Sequence, residues 1–138
     1  KDLDWQADPA APVGINPVGA VRGGLVVDGV LPEEQRRGGG FTGDPPQESY
    51  VWEALQGAVV TAEMLDRAGY PAWDWEDRAL RRAFTWLHEV NHFPAEGDDL
   101  WQTWLVNAAY DSSFPATSPS WPGKNLGFTD WTHGGRGS

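Results

Sequence analysis

The sequence predicts a mainly α protein in which antiparallel helix hairpins are flanked by long Gly/Pro-rich aromatic coils. Three observations carry this. Apolar residues recur at three- and four-residue spacing through the middle of the chain, the signature of helices with one buried stripe. The turns between those runs are short, which makes neighbouring helices antiparallel by default. On either side the periodicity stops, and glycine, proline and aromatic residues take over.

A chain of 138 residues supports one domain with a modest core, so residues 1–138 read as a single domain in three parts. Residues 1–48 are dense in Gly and Pro ("DPAAPVG", "NPVGAVRGG", "RRGGGFTGDPP") and read as an ordered coil that wraps over the rest. Their strand-like piece is "LVVDGVL", Leu25 to Leu31, where Asp28-Gly29 signals a tight hairpin turn. Residues 49–110 read as a three-helix segment, the period changing from Gln47. Val51, Leu55, Ala58, Val59, Ala62 and Leu65 form the first stripe, which Gly69 and Pro71 terminate. Asp74 is placed to cap a second helix, with Glu76 and Asp77 in its first turn and Leu80, Ala83, Phe84, Leu87 and Val90 along its buried face, ending before Pro94. Asp98 or Asp99 is placed to cap a third, with Leu100, Trp101, Trp104, Leu105 and Ala108 as its apolar positions. Residues 111–138 return to Pro, Gly and Ser. Phe114, Trp121, Phe128 and Trp131 should pin this tail to the helices and leave "GGRGS" to fray.

Composition narrows the function classes. The formal net charge of -10 argues against nucleic acid and anionic membrane surfaces as partners, and no run approaches the ~18 apolar residues of a membrane span. The absence of cysteine removes disulfides, thiolate metal sites and cysteine nucleophiles. Lys1 in place of an initiating methionine suggests a processed product, and a secreted or extracellular location is expected. Nine tryptophans in an acidic chain fit either a ring-filled core or rings that stack on sugars.

Most catalytic signatures have little support. Serine catalysis lacks a G-x-S-x-G elbow, and "RRGGGFTGDPP" lacks the G-K-[ST] ending of a phosphate loop. The segment "HEVNH" carries His88 and His92 at the spacing of a zinc pair, with Glu89 in the general-base position. Pro94 follows at once and His133 is the single further histidine, so a solvent-facing pair is expected, and neither a metal nor a cofactor is. Arg36 and Arg37 offer a guanidinium grip for a carboxylate, or a surface pair balancing Glu33 and Glu34. Asn107, Tyr110 and His133 supply the residue types that cleavage beside a uronic acid needs: a group to neutralise the carboxylate, and groups to move protons.

Four strings, "DGVLPEEQRRGG", "ESYVWEALQGAVVTAEMLDRAGYPAWDWEDRALRRAFTWL", "PAEGDDLWQTWLVNAAY" and "PGKNLGFTDWTH", resemble the C-terminal part of the alginate-lyase-like polysaccharide lyase group. The similarity runs from about Gly14 to His133. It implies a helical (α/α) toroid, of which this chain would form a part, together with an acidic polysaccharide as substrate and β-elimination as reaction. Carried onto this chain, Tyr110 becomes the acid/base, His133 a base, and Asn107, Arg36 or Arg37 the carboxylate neutralisers. Trp101, Trp131 and Lys124 join the arginines as expected substrate-binding residues. Asp111 stands where the pattern carries glycine. A non-catalytic module that binds glycans or assembles with itself, or with the rest of a larger precursor, is the alternative.

Overall fold

The protein is mainly helical, with one two-stranded sheet among the described residues. The computed structural model describes residues 3–118 and 123–134, so Trp121 and residues 135–138 of the tail lie outside it. Contacts within the chain, read from the sequence as one domain, gather into two compact units: Lys1–Val51 with Glu76–Phe93, and Trp52–Trp75 with Pro94–Ser138. None of the described helices is long and apolar enough to cross a membrane.

In the first unit, strands β1 (Val21–Arg22) and β2 (Leu25–Val26) pair antiparallel, Val21 opposite Val26 and Arg22 opposite Leu25. The hairpin turn is Gly23-Gly24, not the expected Asp28-Gly29. Both glycines have positive φ, 55° and 81°, which a two-residue turn of matching twist requires and glycine supplies without Cβ strain. Asp28-Gly29 does form a tight turn, Val30 N donating to Val27 O, but it lies past the strand pair, and the Asp28 side chain accepts from Gly19 N and pairs with Arg82. Helix α1 (Pro32–Gln35) opens on proline at a first-turn position and runs into a 3-10 turn at Arg36–Gly38. Helix α2 (Tyr50–Arg67) begins where the Glu48 carboxylate accepts Tyr50 N, three residues later than the change of period suggested.

Helix α3 (Trp75–Glu89) departs from expectation at its start. Glu76, Asp77 and Arg78 adopt left-handed dihedrals, with φ of 52°, 54° and 57°. Each such non-glycine residue costs about 1–2 kcal/mol. The Arg82 guanidinium bonds the freed carbonyls of Glu76 and Asp77, along with Asn16 O and the Asp28 carboxylate. Beyond that start the expected stripe is present from Leu80 to Leu87, with Leu80, Ala83, Phe84 and Leu87 buried, whereas Val90 lies past the helix end and is half-buried. The N-terminal coil is ordered around this helix. Trp5 is fully buried, packs edge-on to Trp86 at 6.4 Å and donates to Gly39 O, while Trp86 donates to Val26 O. Asn16, also fully buried, donates to Trp5 O and accepts from Ala7 N.

The second unit holds most of α2, a 3-10 turn at Ala72–Asp74, α4 (Trp101–Tyr110) and α5 (Thr129–His133). Leu55, Val59 and Ala62 are buried along α2, as their spacing predicted. Its end follows the sequence reading too: Gly69 has φ 96°, and Gly69 N and Tyr70 N return to Asp66 O and Leu65 O. Helix α4 is buried at every position from Trp101 to Asn107, which its all-round apolar and amide content permits. Neither Asp98 nor Asp99 caps it. Both sit in a 3-10 turn, Gly97–Asp99, and the cap position falls on Leu100, without a side-chain bond. The Asp99 carboxylate instead accepts from the Gln56 and Gln102 amides.

Candidate functional site

A cleft of about 380 Å³ lies within the second unit. Glu63 and Asp66 reach it from α2, Trp73 and Asp74 from the 3-10 turn, Leu105, Ala108 and Ala109 from α4, and His133 from α5. Helix α5 is anchored from beneath: Thr129, 2% exposed, donates its hydroxyl to Trp101 O. That anchor delivers His133 Nε2 to 3.4 Å from Glu63 Oε1, while Thr132 Oγ1 lies 2.6 Å from Nδ1. A carboxylate beside Nε2 selects the tautomer with its proton there, leaving the lone pair on Nδ1. The same Glu63 oxygen accepts from Arg67 Nε at 3.1 Å. Glu63 therefore links Arg67 to His133, and of the three Glu63 and His133 line the cleft.

The other expected site residues divide. Tyr110 is 7% exposed and donates its hydroxyl to Trp73 O at 2.6 Å, its ring edge-on to the Trp73 ring at 5.5 Å. It thus braces the cleft wall from behind. Asn107 is 1% exposed; its amide donates to Phe114 O, and its oxygen accepts from Phe114 N and Ser112 Oγ. Trp101, expected on a ligand-facing surface, is a core residue at 1% exposure, and its ring packs so tightly on Gly123 that a Cβ there would overlap it. A sugar has no access to that ring. Trp131 does face solvent, 80% exposed and 5.6 Å from the Phe128 ring.

The expected cations are held by acids. Arg36 is doubly bonded to Glu33, whose carboxyl it holds below the usual carboxylate range. Arg37 bonds Glu34 and lies 5.0 Å over the Tyr50 ring. Both belong to the first unit, and His133 to the second. Lys124 Nζ stands 2.6 Å from both Glu53 oxygens and 3.7 Å from Asp98, and Glu53 above all raises its ammonium above the ordinary lysine range.

Glu53, Asp98 and Asp99 offer oxygens within 4.8 Å of one another, the donor set of a hard cation. Lys124 already supplies positive charge there. Burial chiefly, with Asp98 and Glu53 adding to it, raises the Asp99 carboxyl, against the lowering effect of the Gln56 bond and Lys124. The "HEVNH" spacing is not realised as a helical pair. Helix α3 ends at Glu89 and His92 lies beyond it with φ 51°, exposed, whereas His88 is partly buried and stacks on Phe84.

Glu63, Asp66, Arg67, Trp73 and Asp74 were missed from the sequence. The four-residue spacing of Glu63 and Arg67 marks a helix-surface pair, but nothing local connects them to His133, 70 positions from Glu63. No family model, curated protein or solved structure matches the chain.

Proposed function

We propose that this protein acts on or binds uronic-acid polysaccharide at the cleft of its second unit, by β-elimination where it is catalytic, within a fold derived from the (α/α) toroid lyases. The observation that supports it is the His133–Glu63 pair at a cleft walled by Trp73. Glu63 fixes the imidazole and stabilises the imidazolium that proton abstraction creates. In the reaction, His133 Nδ1 displaces the Thr132 hydroxyl and takes the C5 proton of the uronate. The C–H electron pair becomes the C4–C5 double bond, the C4–O bond breaks, and the departing oxygen recovers a proton from the imidazolium.

The test is the ultraviolet absorbance of unsaturated uronide ends released from polyuronates, compared with His133→Ala. The wild type should generate it and the variant should lose at least ~100-fold in rate, as general acid–base catalysis contributes. Wild type without signal on any polyuronate removes the catalytic form.

A second reading, glycan binding without catalysis, is favoured by the engagement of Tyr110 and Asn107 in holding the fold. It predicts retention of labelled polysaccharide with no absorbance change.

A further inference from the structure

We infer that Arg67 receives the uronate carboxylate and so sets the charge class of sugar admitted beside His133, an assignment that rests on the polysaccharide reading above. Proton abstraction next to a carboxylate places more negative charge on that group, and a positive neighbour must take it up. Two cations occur among the described residues of the second unit, Arg67 and Lys124. Lys124 is bound to both oxygens of Glu53. Asn107, the neutral candidate, has its amide nitrogen on Phe114 O and its oxygen on two further donors.

Arg67 differs from these on three counts. Its side chain is 70% exposed, although the Glu63 side chain it contacts is 14% exposed. Its bond to Glu63 uses Nε, so the terminal nitrogens of the fork remain for a second carboxylate, whose two oxygens they match. The Glu63 oxygen it holds is the one beside His133 Nε2, which places the guanidinium next to the base. Asp66 and Asp74, also at the cleft, oppose an anionic sugar, and Arg67 has to outweigh them.

Binding is measured by calorimetry for an oligomannuronate and for a neutral mannan oligomer of equal length, on the wild type, Arg67→Gln, Arg67→Lys and Asp66→Asn. Arg67 is the last residue of α2 and exposed, so these proteins should fold, which melting curves verify. Arg67→Gln should weaken the oligomannuronate about tenfold to a hundredfold, the value of a charge-assisted hydrogen bond. Arg67→Lys should recover part of that loss, Asp66→Asn should tighten the anionic oligomer, and the neutral one should be indifferent to all three. If Arg67→Gln binds oligomannuronate as the wild type does, or loses both oligomers equally, Arg67 has no carboxylate role while the polysaccharide reading stands. If the wild type binds neither oligomer, both fall.

Discussion

Gly29 is a position where one absent Cβ sets a packing distance. Its φ is 87°, and a Cβ built there would overlap the backbone of Arg82 and Ala83 on α3. Gly29→Ala therefore combines left-handed strain with overpacking against backbone, for an expected loss of about 2–4 kcal/mol. Chemical denaturation measures it, and a loss under ~0.5 kcal/mol would contradict the close approach. Asp99 gives a prediction with a pH signature. Its folded carboxyl is raised, first by burial, so the fold disfavours the charged form. Stability from this group is complete below the unfolded value of about 3.9 and is lost as pH rises above it. Asp99→Asn keeps an acceptor for the Gln56 and Gln102 amides and removes the charge. With the site only half-buried, solvent screening limits the gain at neutral pH to a few tenths of a kcal/mol up to about 1. That gain should vanish below pH ~4. An Asn variant less stable than wild type at pH 7 would reverse the reading. The sequence placed Asp99 in the right stretch and assigned it a local role, because a cap is a neighbour's bond and Gln56 is 43 positions away.

Among the elements, α4 shows most clearly what side-chain patterning leaves open. Its run of buried positions explains why Trp101 and Trp104 are core. Two of its polar residues are buried and bonded outside the helix: Gln102 to Trp52 O and Asp99, Asn107 to the segment from Ser112 to Phe114. Asp111 closes the helix in the left-handed conformation, its N–H on Asn107 O. Asn107→Ala removes three bonds, two of them to the Phe114 N–H and C=O. About 2–4 kcal/mol should be lost, with faster hydrogen exchange at the Phe114 amide. Unchanged Phe114 protection would show that the segment is held some other way. The stripes of α2 and α3 were legible because a 3.6-residue period survives in any buried helix. The start of α3 was not, since Arg82 bonds carbonyls that a regular first turn would have used differently.

For the molecule as a whole, each compact unit pools segments far apart in the chain, and the cleft draws on four elements of one unit. The mainly helical class, the charge of -10, the absence of thiol chemistry, the helix stripes and the Gly69 stop are properties of composition and short-range periodicity, and the sequence by itself determined them. The tertiary structure alone decided which polar groups meet. It joined His133 to Glu63 and Arg67, committed Tyr110 and Asn107 to backbone partners, buried Trp101, and moved the hairpin turn to Gly23-Gly24. A hydrogen bond or ion pair depends on a few ångströms between groups that only the folded backbone brings together, in His133–Glu63 and Tyr110–Trp73 across tens of positions, and no local pattern of residue types encodes that distance.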